Sequence, residues 1–260
     1  MGETFRTVNL LLQESYAHLQ LNRPDSLNAL DEEMLTDLSK ALSIVESAKV
    51  PLLFISGAGR AFSAGGDIKT MLQSSNNDRF KEIMEKIEHI TLSLYRLPAV
   101  TVSLVHGAAA GLGLSLALAS DYVYAHNDAK IAMNFINIGL IPDGGGHFHM
   151  AKRLGEGKAK QIIWEGKTHA ATTALELGII DDVFEERVED KLEKEKERLL
   201  NKPLKAMVAS KEIFVQMNEP SLQQSLRLEA HFQGEMRQTS DHQEGIRAFL
   251  EKRRPTFSGK

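Results

Sequence analysis

The sequence contains no cysteine. Disulfides, thiol nucleophiles and thiolate metal sites are excluded on that ground, and the composition suits a reducing, cytoplasmic setting. A strong charge of either sign is also missing. The formal net charge is -4 over 260 residues, which gives no electrostatic basis for bulk binding to nucleic acid or to an acidic membrane. Long uninterrupted apolar runs are absent as well. The nearest approach, residues 100–119, is broken by Ser103, His106, Ser115 and three glycines. A membrane span needs roughly 20 predominantly apolar residues, so this stretch reads as a buried strand followed by a helix. The first twelve residues mix Glu3, Arg6 and Asn9 into their apolar positions and do not read as a signal peptide. There is no short tandem repeat and no low-complexity linker. What remains, 42% hydrophobic and 25% charged residues, is enough for one large globular domain or a core with a smaller appendage.

Apolar residues alternate at Val8, Leu10 and Leu12 and again at Ala17, Leu19 and Leu21, with Glu14 and Ser15 between, which predicts an N-terminal hairpin. Asp31 is placed to cap a helix whose apolar face is Met34, Leu35, Leu38, Leu42 and Val45. Leu52 to Ile55 reads as a short buried strand. A long amphipathic helix follows from about Asp78, with Phe80, Ile83, Met84, Ile87, Ile90 and Leu94 on one face. Pro98 ends it, and residues 100–105 form the next strand. Strands, then helix, then strand again point to an α/β core, placed here over residues 1–200. The stretch 185–198 reads as a solvated helix with Asp190 paired to Lys194. Residues 201–260 read as a helical C-terminal region in which Ser240 and Gln243 form a capping box. Its apolar residues Leu222, Leu226, Phe232 and Phe249 are expected to bury against neighbouring subunits.

Three glycine-bearing segments carry the chemical signal: Gly57-Ala-Gly-Arg-Ala-Phe-Ser-Ala-Gly-Gly-Asp-Ile68, the run from His106-Gly-Ala-Ala-Ala-Gly-Leu-Gly113 to Asp121, and Gly139-Leu-Ile-Pro-Asp-Gly-Gly-Gly146. Each follows an apolar run and opens toward a helix or turn, where free amides can meet developing negative charge. Taken singly, each is more readily explained by turns and tight helix packing. Dinucleotide binding does not fit, because Phe62 and Leu116 stand where that fingerprint needs a third glycine, and no segment has the lysine and hydroxyl of a phosphate loop.

Together the three segments resemble the crotonase, or enoyl-CoA hydratase/isomerase, superfamily. The resemblance extends to Leu21-Asn-Arg-Pro-Asp-Ser-Leu-Asn-Ala-Leu30 near the start and Phe249-Leu-Glu-Lys-Arg-Arg-Pro-Thr-Phe257 at the end. It implies a crotonase-like spiral of ββα units, a helical C-terminal region that builds a homotrimer or hexamer, and an acyl-CoA thioester substrate. Coenzyme A is then part of the substrate, and no separate cofactor or metal is expected. It also implies an oxyanion hole of two peptide N–H groups, which fall on Gly66, after Ala64 and Gly65, and on Leu112. Each such donor is typically worth ~3 kcal/mol to the transition state.

The resemblance breaks at the two glutamates with which the hydratases handle water. Their positions carry Ser115 and Phe135, neither of which is a base at neutral pH. Asp143 is the remaining candidate, at a place where some isomerases of the family carry a catalytic aspartate. Facing an acyl pocket walled by Phe135 and Ile138, it would have its pKa raised by desolvation. On the residues alone Asp143 reads first as a cap for the helix through His147 and His149; with the resemblance it reads as the base of an acyl-CoA double-bond isomerase. Arg60 is placed to approach nucleotide phosphates, and Phe249 and Lys252 match a segment that touches coenzyme A across a subunit boundary. Asp67 is expected to cap a helix beginning at Ile68, and His106 to be structural. The alternatives are a hydratase or decarboxylase in which Ser115 orients water or a carboxylate, a non-catalytic acyl-CoA binder, and a metal hydrolase on Asp143, His147 and His149.

Overall fold

The computed structural model describes residues 5–67 and 77–260. Strands β1 (Val8–Leu12) and β2 (Ala17–Leu21) form the expected antiparallel hairpin. They open a six-stranded sheet continued by β3 (Leu52–Gly57), β4 (Val100–Val105), β6 (Tyr122–His126) and β9 (Asp182–Phe184), all parallel from β2 onward. A second sheet is formed by β5 (Ala108–Ala110), β7 (Lys130–Ala132) and β8 (Thr168–Ala170). The helix after β2, α1 (Glu32–Ala48), starts at Asp31, whose carboxylate accepts from the Met34 N–H at 2.9 Å. It packs beside α2 (Asn77–Arg96).

Because side chains alternate across a strand, β3 feeds two cores. Leu53 and Ile55 join Met34, Leu38 and Leu42 of α1 and Ile87 and Leu94 of α2. Leu52 and Phe54 turn to the opposite face and meet Leu192 and Leu199 of α7 (Val188–Leu200). Truncating one of these fully buried leucines to alanine would cost about 2–5 kcal/mol. Short helices α3 (Leu112–Leu118), α4 (Gly146–Leu154), α5 (Glu156–Glu165) and α6 (Ala171–Leu177) link the remaining strands. Beyond residue 201 the chain is helical as expected, in α8 (Leu204–Met236) and α9 (Ser240–Leu250). Among the described residues no helix is long and apolar enough to cross a membrane.

Several local expectations are corrected. Asp190 pairs with Arg187, not Lys194, which reaches Glu186 instead. The face of α7 is not wholly solvated, since Lys191 and Glu195 are buried and paired at 3.0 Å beneath the ring of Tyr124. The cap of α9 is Thr239, whose hydroxyl accepts from His242 N–H, while Ser240 bonds the Lys260 carbonyl. Leu222 and Leu226 are buried within their own chain, against Leu92, Phe148 and Tyr95, so they are closed to a partner. Phe232 and Phe249 remain exposed. The C-terminal helix thus docks on the core through an apolar contact, and the next two turns of α8 carry its polar side chains into the site.

Candidate functional site

The segment after β3 is held on both sides. On one side Phe62 N–H donates to His106 O at 2.8 Å, Ser63 N–H to Ala108 O at 2.9 Å, and Ala110 N–H returns to Ser63 O at 3.0 Å. On the other, Leu30 N–H donates to Gly65 O at 2.8 Å and Asp67 N–H to Leu30 O at 3.1 Å. Peptide groups of an extended segment alternate in direction, so these two bonds turn the Gly66 N–H away from Leu30 and toward β5. Gly65 permits this approach. Its φ is 93°, and a Cβ there would stand 2.6 Å from Ala110 O and 3.5 Å from Leu112 N.

Leu112 is the first residue of α3, a position whose N–H has no acceptor within a helix. Gly111 sets that start with φ 52° and ψ -128°, a combination closed to residues with a side chain. Among the described residues neither the Gly66 nor the Leu112 N–H donates to a backbone acceptor. Two free donors on adjacent loops are therefore available to a ligand oxygen. The expected helix start at Ile68 lies outside the described residues. The Asp67 carboxylate is held by Arg23 at 3.2 Å, and Arg23 also pairs with Asp31. His106 bonds Gly59 O at 3.1 Å, as a structural histidine.

Asp143 does not cap α4. The cap residue is Gly145, and the first turn of the helix is satisfied from α8: Glu229 accepts from Gly145 N–H at 2.8 Å, from His147 N–H at 3.0 Å, and pairs with His147 Nδ1 at 2.9 Å. Asp143 is left for other work. It is buried, its Oδ2 accepts from Gln233 Nε2 at 3.1 Å, and its Oδ1 has no hydrogen-bond partner among the described residues. Burial pushes its pKa up to about 7; the Gln233 hydrogen bond opposes this and the Glu229 charge adds to it. The carboxyl is thus poised to gain and lose a proton near neutral pH. His149, fully buried between Tyr95 and Phe148, is held neutral by desolvation, its pKa lowered to about 3. Among the described residues no group of three or more His, Asp or Glu side chains converges as metal ligands.

Two cavities meet at these groups. The outer one, about 460 Å³, is walled by Ala64, Phe135, Ile138 and Phe249 and rimmed by Arg253 and Arg254. The inner one, about 60 Å³, is lined chiefly by Leu35, Phe80, Ile83, Met84 and Ile87. Gly66, Leu112 and Asp143 border both. A Cβ on Gly144 would stand 2.6 Å from Leu112 Cδ1, which shows how closely the Asp143 loop is packed against the second donor. Three residues expected to contact substrate do not line these two cavities of the single chain. Arg60 and Lys252 are exposed and line neither cavity. Ser115 is buried under the site, its hydroxyl turned to Gly111 O at 3.5 Å. Gln233, Glu229, Arg253 and Arg254 were not singled out in the sequence. The Glu229–Gln233 spacing of one helical turn was the available signal, but nothing in the sequence says which face of α8 meets residues 141–147.

The profile of the enoyl-CoA hydratase/isomerase family matches residues 12–260. YhaR of Bacillus subtilis (strain 168), named at family level as an enoyl-CoA hydratase/isomerase, is 48% identical over 241 residues, covering 93% of this chain and 94% of that protein. A trans-2-decenoyl-(acyl-carrier-protein) isomerase of Streptococcus mutans is 33% identical over 264 residues, covering 98% and 99%. The crystal structure of an enoyl-CoA hydratase from Mycobacterium avium subsp. paratuberculosis K-10 superposes with a TM-score of 0.88 at 30% identity, covering 98% and 100%. With its mixed α/β core, its C-terminal helices and this match along nearly its whole length, the chain belongs to the enoyl-CoA hydratase/isomerase family of the crotonase superfamily.

Proposed function

We propose that this protein is an acyl-CoA double-bond isomerase in which Asp143 moves a proton along a thioester dienolate held by the Gly66 and Leu112 N–H groups. The observation that carries the reading is the state of Asp143. Of the carboxylates bordering the two cavities, Asp31 and Asp67 are paired with Arg23, and Glu32 with Arg79 and Lys86. Asp143 has no ion-pair partner among the described residues and a pKa raised by burial to about 7. Such a group is matched to general acid–base work near neutral pH.

In this reading the thioester oxygen of a 3-enoyl substrate accepts from the two amides. Asp143 takes the proton from C2, and the electron pair spreads through the C3–C4 double bond onto the oxygen. The neutral carboxyl returns the proton at C4, leaving the double bond between C2 and C3 and Asp143 ionised again. The two amides favour the charged oxygen, an effect typically worth ~3 kcal/mol each. The inner cavity suits an apolar acyl tail, and the arginine-rimmed outer one suits its anionic carrier. Hydration would need water held between two carboxylates. One of those places is filled by the buried ring of Phe135, the other by Ser115 with its hydroxyl turned into the helix.

The test is Asp143→Asn. It should keep KM within a few-fold and lower kcat for 3-enoyl-CoA isomerisation by about a hundredfold or more, the loss expected for a general base. An unchanged kcat would remove Asp143 from the mechanism.

A further inference from the structure

We propose that Gln233 is a positioning residue that fixes the Asp143 carboxyl and reserves Oδ1 as its proton-carrying oxygen. The inference rests on the isomerase reading above and adds which atom works and what holds it. Gln233 lies on α8, is 2% exposed, and bridges two points of one loop. Its Oε1 accepts from Ile141 N–H at 3.4 Å, and its Nε2 donates to Asp143 Oδ2 at 3.1 Å. A peptide N–H can only donate, so the amide oxygen must face Ile141 and the amide nitrogen must face Asp143. The side chain therefore has one allowed orientation. One turn earlier on the same helix, Glu229 fastens the other end of that loop through Gly145 and His147.

The two oxygens of Asp143 are consequently unlike. The oxygen in the Oδ2 position is tied to a fixed donor, and the one in the Oδ1 position is not. Oδ1 is buried without a partner on a side chain that borders both cavities. When a C–H bond breaks and an O–H bond forms at Oδ1, Oδ2 keeps accepting from Gln233. The proton then stands on Oδ1, the oxygen left without a partner, and the same oxygen releases it at the second carbon. A donor on Oδ2 also favours the ionised carboxyl, offsetting part of the effect of burial.

The other groups acting on Asp143 come from several elements. Glu229 of α8 raises its pKa and His147 of α4 lowers it. Asp31, Glu32, Asp67 and Arg237 stand around the inner cavity, and Arg253 and Arg254 around the outer one. A substitution at Gln233 leaves all of these in place, so its effect on the Asp143 titration is separable from theirs.

The experiment compares Gln233→Met, which keeps length and removes the donor, with Gln233→Lys, which puts a cation on Oδ2. Two readouts are taken: the pH profile of kcat and kcat/KM for isomerisation, and the titration of the Asp143 carboxyl by carbon-13 NMR, assigned through Asp143→Asn. Gln233→Met should move the Asp143 midpoint up by about one pH unit and lower kcat near neutrality about tenfold with KM within about twofold; Gln233→Lys should move the midpoint down. If Gln233→Met is too unstable to assay, the sign of the Gln233→Lys shift decides. A carboxyl titration unmoved in both variants overturns the inference while the base assignment stands on Asp143→Asn. A titration that moves while Asp143→Asn retains full turnover overturns the base assignment, and with it the role given to Oδ1.

Discussion

Replacing Asp143 with asparagine should make the folded protein more stable at alkaline pH, and the size of the effect follows from burial. The carboxyl is raised from the 3.8 of a free aspartic acid to about 7 in the fold, chiefly by desolvation. A group of this kind binds its proton more tightly folded than unfolded. Its favourable contribution is complete below about pH 4, and it is lost as the pH rises toward 7, where the folded carboxyl finally ionises. The gap is about three pH units at about 1.4 kcal/mol each, so roughly 4 kcal/mol is lost across that window. Asparagine does not titrate and can still accept from Gln233 through its carbonyl oxygen. The stability difference between variant and wild type should therefore shift toward the variant by about 4 kcal/mol between pH 4 and pH 8. Urea unfolding of both proteins at half-unit pH intervals measures this directly and needs no substrate. A difference that stays constant over the range would mean that Asp143 ionises at an ordinary pKa, and the argument from burial would be refuted.

Gly65→Ala should disturb the first amide, since its Cβ would stand 2.6 Å from Ala110 O at a φ of 93°. A displacement of Gly66 of even ~1 Å is expected to lower kcat/KM about a hundredfold, read by steady-state kinetics with retained far-ultraviolet circular dichroism. Glu229→Ala removes the acceptor for Gly145 and His147 N–H and should cost about 1–3 kcal/mol in urea unfolding. Wild-type kcat/KM should rise with pH as Asp143 ionises and level off above its midpoint near 7; a profile flat from pH 5 to 9 would contradict a titrating base.

The parts of the molecule legible in the sequence are those governed by short-range pattern. The β1–β2 hairpin, the Asp31 cap, the apolar faces of α1 and α2 and the helical tail all follow from periodicity within a few residues. The Gly66 and Leu112 amides are picked out through the resemblance of their motifs, and Gly65 and Gly111 beside them adopt positive-φ conformations that a side chain disfavours. Asp143 could be singled out, but not its partner. Its state depends on Gln233, ninety positions away, and the capping function it was eligible for is taken over by Glu229. Long-range docking of α8 decides both, and a one-dimensional pattern does not carry it. The same holds for Lys191 and Glu195, whose charged helix reads as solvated until the sheet beneath it is seen. Ser115 and Arg60 do not line the two cavities for the complementary reason: proximity to a motif in sequence is not orientation into a cavity.

In the proposed function one buried carboxyl moves a proton where the hydratases use two carboxylates to handle water. The most direct measurement is product analysis of the wild-type protein given 3-enoyl-CoA and, separately, crotonyl-CoA. The wild type should convert the 3-enoyl to the 2-enoyl thioester with little 3-hydroxyacyl product from either substrate. Hydration of crotonyl-CoA at ~10 per second or faster, a turnover typical of an efficient enzyme, would contradict it.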